Sequence, residues 1–250
     1  MGLFSNLFGK KKEKDLEPAD MSVLRVDVHS HLIPGIDDGA AEMEDSLNLL
    51  AEFEALGYKK VITTPHVMSD YYRNTSEIIL KGLEDVRKAK AERGLTIEID
   101  AAAEYNLDAD FEPKIEAGDL LTFGDNYVLF ELPFLSEPPM FNDIVWKLQM
   151  KGYKPVLAHV ERYGFWHNQW EKIESLKDRG VFIQLNINSL TGHYGPDVKA
   201  IGERLIDNDM VDLVGSDCHN LNHIGLLQRA RRKPYLHKVI QSEKLINKKL

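Results

Sequence analysis

The sequence predicts an α/β fold, a barrel of seven parallel strand and helix units, on three observations. Short apolar and β-branched runs recur along the 250 residues. Segments with helical three-to-four spacing separate them. The runs are apolar on both faces, as strands are when helices cover both sides of a parallel sheet. Seven such units in this length suit a closed barrel.

The runs fall at 23–28, 61–64, 97–102, 127–132, 155–158, 181–186 and 211–215. Between the first two, Met43, Leu47, Leu50 and Phe53 mark a helix stopped by Gly57; after the second, Ile78, Leu83, Val86 and Ala89 mark another ending near Gly94. No linker or repeat interrupts this alternation, so residues 21–250 read as one domain. Residues 1–20 read as a tail. In it Leu3, Phe4, Leu7 and Phe8 share one side of a short helix, followed by Lys10, Lys11, Lys12 and Lys14. That order is the reverse of a secretory signal. It is compatible with a weak contact of residues 1–14 with an anionic membrane surface, or with a solvated tail. The acidic and apolar residues of 42–56 offer a subunit contact or a solvated helix face.

Composition excludes several classes. A formal charge of −9, from 31 Lys and Arg against 40 Asp and Glu, is the wrong sign for a broad nucleic-acid-binding face. The single cysteine, Cys218, cannot make an internal disulfide, so a reducing cytoplasm is the simplest location. No apolar run approaches the roughly 20 residues of a spanning helix.

The chemistry-bearing residues sit where the strands end. His29 and His31 follow the first run two positions apart, pointing the same way on an extended chain. His66 follows the second, Glu104 the third, Glu131 closes the fourth, His159 follows the fifth, and Asp217 and His219 follow the seventh. In an α/β barrel all strand C-termini open onto one face, so residues scattered along the chain become neighbours. A carboxylate inside an apolar run such as that of Glu131 is expensive to bury alone and favours a cation. Asp37-Asp38-Gly39 reads both as a turn and as a source of a ligand, with Asp38 placed in the site. Five histidines and four carboxylates exceed what one ion needs, and accommodate two or three divalent ions of the manganese, iron or zinc type. Such a cluster points to metal-assisted hydrolysis of a phosphate ester. Arg162, three residues beyond His159, can grip two phosphate oxygens, or pair with Glu161 on the surface. His167, His193, His223 and His237 lack strand-end placement and read as surface residues or supports behind the site. No phosphate-binding loop with an arginine follows Cys218, which reads as structural.

In order along the chain, His29-Ser30-His31, Asp37-Asp38-Gly39, Pro65-His66, Ala103-Glu104, Glu131, His159-Val160-Glu161-Arg162-Tyr163 and Ser216-Asp217-Cys218-His219-Asn220 resemble the PHP superfamily. Within it the chain is similar to the bacterial manganese-dependent tyrosine phosphatases of the CpsB/CapC/YwqE type, from about residue 23 to 223. The resemblance implies a distorted (β/α)7 barrel and three ions, manganese by preference with iron, zinc or magnesium as alternatives. It distributes them among His29, His31, Glu104 and Asp217; Glu104, Glu131 and His159; and Asp38, His66 and His219. It implies phosphate binding by Arg162, and as substrate the phosphotyrosine tail of a membrane-associated autokinase that regulates capsule or exopolysaccharide synthesis, met at the inner face of the membrane.

On this reading water activated at the ions attacks phosphorus in line, with Asp217 essential, Arg162 stabilising the developing charge, and His66 and His219 placed to assist the leaving oxygen. Tyr105, Phe134, Tyr163 and Phe165, with the loop 136–139, are compatible with a flat aryl phosphate at the mouth or with core packing. The rival readings are a small-molecule phosphatase, such as one acting on histidinol phosphate, and a metal-stabilised module that binds a kinase without chemistry.

Overall fold

The structure, a computed structural model, describes residues 14–250. Most of the N-terminal segment therefore lies outside the described residues. What is described of it crosses the C-terminal helices: Leu16 N–H donates to the Arg232 carbonyl and Ala19 N–H to that of Arg231, each at 2.8 Å.

Among the described residues nine short strands, β1 (Val26–Asp27), β2 (Lys60–Thr63), β3 (His66–Val67), β4 (Glu98–Ala101), β5 (Glu104–Asn106), β6 (Tyr127–Glu131), β7 (Lys154–Leu157), β8 (Phe182–Asn186) and β9 (Leu213–Gly215), pair with one another in parallel. Their order is β1-β2-β4 in one sheet and β3-β5-β6-β7-β8-β9 in the other. The two sheets are one curled layer, because the second and third expected strands, 61–64 and 97–102, are each followed after a two-residue break by a further short strand, β3 and β5. β2 and β3 part at Thr64-Pro65, where the proline has no N–H for the ladder, and β4 and β5 part at Ala102-Ala103. The first strand is much shorter than 23–28. Asp20 accepts from Ser22 N–H at 2.9 Å and starts a 3-10 turn over Met21–Leu24, and Arg25, at φ +64°, turns the chain into β1.

The circle closes between β9 and β1. Asp217 N–H donates to His29 O (2.8 Å) and His31 N–H to Cys218 O (2.9 Å), with Ser30 and Cys218 forming a parallel bridge. Lower down, side chains do the stitching. Asp27 accepts from the Ser216 N–H and hydroxyl at 2.8 and 3.0 Å, and the buried Asn247 amide bonds Val26 O, Val214 O and Val214 N–H at 2.8–3.0 Å. Gly215 permits this approach, since a Cβ there would stand 2.6 Å from His29 Cβ.

Val26, Val28, Ile62, Ala102, Leu129, Val156, Ala158 and Leu213 form one apolar cluster. Ala102, Leu129 and Leu213 share strand parity with Glu104, Glu131 and Asp217, so this cluster fills the barrel beneath those polar ends. A larger cluster lies between the strands and the surrounding helices. These are α1 (Met43–Ala55), α2 (Ser76–Glu92), α3 (Phe111–Ala117), α4 (Phe141–Met150), α5 (Trp170–Asp178), α6 (Pro196–Asp207), α7 (Leu221–Ala230) and α8 (Pro234–Ile240). Leu47, Leu50 and Phe53 bury the inner face of α1 as expected. On α2 the core residue is Ile79, with Leu83 and Val86, whereas Ile78 is exposed: Thr75 caps the helix and sets its phase one residue later.

Replacing Asn247 by Ala leaves three backbone groups at the seam without partners, and should lower stability by roughly 2–4 kcal/mol in urea unfolding; an unchanged midpoint would mean that Asn247 does not hold the barrel closed.

Candidate metal centre

The eight side chains expected at the strand ends converge, and Asp38 joins them. Glu104 is the hub: its Oε2 lies 3.2 Å from His29 Nε2, 3.5 Å from His31 Nε2 and 3.2 Å from His66 Nδ1, and its Oε1 lies 3.0 Å from His159 Nε2. Asp217 Oδ1 stands 3.4 Å from His29 Nε2 and 3.5 Å from both His31 Nε2 and His219 Nδ1. Glu131 reaches His66 Nδ1 at 3.4 Å and His159 Nε2 at 3.6 Å. Asp38 Oδ1 lies 3.6 Å from His66 Nε2 and 3.5 Å from His219 Nε2. Donor atoms of four groups fall within 4.8 Å of one another: His31, Asp38, His66 and His219; His29, His31 and Glu104; His29, His159 and Asp217; and His66, Glu104 and Glu131.

Two donors that share an ion at about 2.1 Å are about 3.0–3.4 Å apart, which is the separation seen repeatedly here. His29 Nε2, His31 Nε2, His66 Nδ1 and Glu104 Oε2 are buried without any hydrogen-bond partner and face the same space. The residues present therefore fit divalent ions.

Local structure aims these groups. His159 and Asp217 take left-handed backbone, φ +35° and +50°, immediately past β7 and β9. Asn220 caps α7, accepting from the N–H of Asn222 and His223 at 3.0 and 3.3 Å, so the helix begins directly behind Asp217 and His219. Asp37-Asp38-Gly39 fulfils both of its readings. Asp37 accepts Gly39 N–H (3.0 Å) in a turn and holds His31 Nδ1 (2.8 Å), which leaves the His31 Nε2 lone pair for the site, while Asp38 enters the site itself. Gly39 is required because a Cβ would lie 2.2 Å from His31 O.

The pocket, about 420 Å³, is lined by eight of the titratable groups named so far together with Met68, Tyr72, Phe134, Tyr194, Asn220 and His223. Arg162 points into it and donates to Asp217 Oδ2 at 3.0 Å, its guanidinium held between the rings of Phe134 (4.8 Å) and Tyr194 (4.4 Å). The surface pair with Glu161 does not form. Glu161 is fully buried and accepts from Ser189 Oγ at 2.6 Å and Asn186 N–H at 3.0 Å, and burial raises its pKa. Of the four expected aromatics only Phe134 lines the pocket. Tyr105 and Tyr163 are buried and accept from Leu121 and Leu132 N–H, and Phe165 packs on the core. Cys218 packs in the core, where burial pushes its thiol well up. His223 supports the site from behind, its Nδ1 2.8 Å from the Asp217 carbonyl, and His167 Nε2 contacts Glu161 O at 2.8 Å.

Electrostatics follow from this crowding. Burial opposes protonation of His29, yet the Glu104 and Asp217 carboxylates overcome it and push its pKa up to about 9. His31 is raised well above its usual value in the same way, chiefly by Asp37. Burial likewise opposes ionisation of Glu104 and Asp217, but the surrounding imidazoles, with Arg162 beside Asp217, hold both carboxyls well below the usual range. The hydrogen bond with His219 leads in bringing Asp38 down to about 2.

Set against known proteins, residues 25–250 match a family model described as capsular polysaccharide synthesis, CpsB/CapC. The chain belongs to the CpsB/CapC family. Among family relatives, the tyrosine-protein phosphatase YwqE of Bacillus subtilis is 28% identical over 197 residues, 78% of each chain. The tyrosine-protein phosphatase CpsB of Streptococcus pneumoniae is 29% identical over 203 residues, 79% of this chain and 84% of the relative. A crystal structure from work on YwqE and CpsB, described as unique metal-dependent tyrosine phosphatases, superposes with TM-score 0.78 at 25% identity over 90% of both chains. An amidohydrolase from Mycoplasma synoviae, at TM-score 0.55 and 13% identity over 95% of this chain and 90% of its own, shares the fold.

Several supports of this CpsB/CapC site carry no signal at the strand-end positions. Gln184 Oε1 contacts His29 Nδ1 (3.1 Å) and accepts from His159 N–H (2.9 Å), Asn186 Nδ2 donates to Asp217 Oδ2 (2.6 Å), and Tyr72 stacks on His66 at 5.5 Å. Gln184 and Asn186 alternate along β8 facing inward, a period-two polar pattern in an otherwise apolar run that could have flagged them.

The raised pKa of His29 makes a prediction for the metal-stripped protein. Its folded value of about 9 exceeds the ordinary 6.5, so its stabilising contribution is complete below about pH 6.5 and is lost as pH rises through 9. Glu104→Gln should lower the His29 midpoint by at least about one unit in an NMR titration; an unmoved midpoint would contradict the pairing.

Proposed function

We propose that this chain is a metal-dependent phosphomonoesterase that hydrolyses phosphotyrosine in proteins. The observation that carries the reading is the convergence of nine ligand-type side chains, with unpartnered donor atoms, around a pocket into which one clamped arginine points. The names of the CpsB/CapC relatives support the same activity. The substrate protein is the phosphotyrosine tail of a bacterial autokinase in capsule or exopolysaccharide synthesis, on the cytoplasmic side of the membrane.

Glu104 with His29, His31 and Asp217 would hold one ion, Glu104 with Glu131 and His159 a second, and Asp38, His66 and His219 a third. Manganese suits this mixed imidazole and carboxylate set, with iron, zinc and magnesium as alternatives. Bound there, the ions supply Lewis acidity and a nucleophilic water at neutral pH. The rest of the chemistry belongs to the chain. Arg162 grips two non-bridging phosphate oxygens and balances charge as it accumulates in the transition state. Asp217, Phe134 and Tyr194 fix the guanidinium before substrate arrives, so little reorganisation is needed when it binds. Asp37 and Gln184 fix the ring orientations of His31 and His29. The buried Cys218 thiol offers no nucleophile, so no phosphoenzyme forms on it. A phenolate leaves readily, and no strong side-chain acid is required of His66 or His219.

With manganese, a phosphotyrosyl peptide should be hydrolysed well ahead of histidinol phosphate, and a chelator should abolish the rate; preference for histidinol phosphate would overturn the reading, and no hydrolysis of any phosphate ester would leave a binding module. Arg162→Ala should cost about a hundredfold in kcat/KM with the metal content kept, whereas Asp217→Ala should lose turnover and metal together; near-normal rates in either would refute its role.

A further inference from the structure

A second cleft, about 360 Å³, adjoins the site and has no part in the chemistry above. Asp15, Thr191, His193, Arg229, Arg232 and Lys233 contribute to its lining. It shares a wall with the site. His193 lines the cleft, the next residue, Tyr194, lines the pocket and packs on Arg162, and the two rings meet edge-on at 4.8 Å.

Three cations gather in this cleft on a chain whose net charge is −9. Lys233 is neutralised by Asp15 at 2.6 Å. The Arg229 side chain makes no hydrogen bond or ion pair among the described residues, and the Arg232 guanidinium donates to the Leu16 carbonyl at 3.4 Å while also feeling the charge of Asp15. Two guanidiniums without a direct ion pair among the described residues, lining one cleft, match a phosphate dianion, which each can hold through two parallel N–H groups. A bilayer presents a plane of headgroups, whereas this pair, exposed at the edge of a cleft that adjoins the catalytic pocket, lies where a second phosphate of a bound peptide arrives.

We propose that this cleft is an accessory subsite for a second phosphotyrosine of the same peptide, a partner bearing clustered phosphates; this rests on the phosphatase reading above. The two clefts meet across the His193–Tyr194 ring pair, 4.8 Å between centroids, so a peptide with phosphotyrosines a few residues apart reaches both. The subsite gives the anionic peptide a local attraction that the overall acidic charge of the protein does not, and it raises the effective concentration of the first phosphotyrosine at Arg162.

The test compares peptides carrying one phosphotyrosine with peptides carrying two, three or four residues apart, on the full chain with manganese. For R229A/R232A, KM for the doubly phosphorylated peptide should rise about tenfold while kcat/KM for the singly phosphorylated peptide and for p-nitrophenyl phosphate stays within about twofold. R229K/R232K should recover part of the loss. Equal KM values for the two peptide classes in the wild type, or an equal loss on all substrates in the double variant, would overturn the subsite. So would a double variant that keeps its peptide preference but no longer co-sediments with phosphatidylserine vesicles, because the cations would then face lipid. Failure of the wild type to hydrolyse any phosphotyrosyl peptide would instead remove the phosphatase reading itself.

Discussion

Four imidazoles lie within 3.5 Å of one fully buried carboxylate, that of Glu104. An isolated ionised group at that depth costs several kcal/mol and would ordinarily take up a proton. Here the cost is offset by positive charge from protonated histidines or from divalent ions, and those two sources exclude each other at the same nitrogen lone pairs. The competition explains why the same groups that push His29 up to about 9 also leave donor atoms without hydrogen-bond partners. Everything around Glu104 is arranged to keep the cluster together against its own tendency to hydrate.

The barrel supplies that constraint. Parallel strands deliver their C-terminal ends to one rim, and the interruptions at Thr64-Pro65 and Ala102-Ala103 fall just before His66 and Glu104. The seam is fastened below the rim by Asp27, Ser216 and Asn247, and Gly215 lets β9 come close enough to His29 for Asp217 to join it. Arg162 is then the group that gives the site a direction. Two aromatic rings and Asp217 leave it facing the pocket, and the loop that carries Tyr194 also carries His193 into the neighbouring basic cleft.

Much of this is legible in the chain because strand ends are easy to read and a barrel turns strand ends into neighbours. His29, His31, His66, Glu104, Glu131, His159, Asp217 and His219 are each visible as a metal-binding residue type placed where an apolar run stops. What escapes is what depends on side-chain direction. Ile78 and Ile79 are equivalent by composition, and only the cap at Thr75 decides which one the core takes. Tyr105 and Tyr163 read equally as mouth residues or as core packing, because they adjoin Glu104 and Arg162, and strand alternation and a 3-10 turn decide for the core. Tyr194 and Tyr72 arrive from loops with no periodicity, so their contacts with Arg162 and His66 exist only in three dimensions. The short strands β3 and β5 beyond the second and third runs are similarly hidden, because two or three residues around His66 and Glu104 leave no periodicity to read.

If Glu104 serves more than one ion, its removal should empty more than one site, and the metal content of purified protein reads that loss. Mass-spectrometric metal analysis of manganese-loaded wild type and Glu104→Ala, alongside a circular dichroism spectrum that checks the fold, should give two to three ions per wild-type chain and the loss of at least two on removing Glu104. A wild type that holds at most one ion under saturating manganese, or a folded variant that retains the full complement, would contradict that role of Glu104.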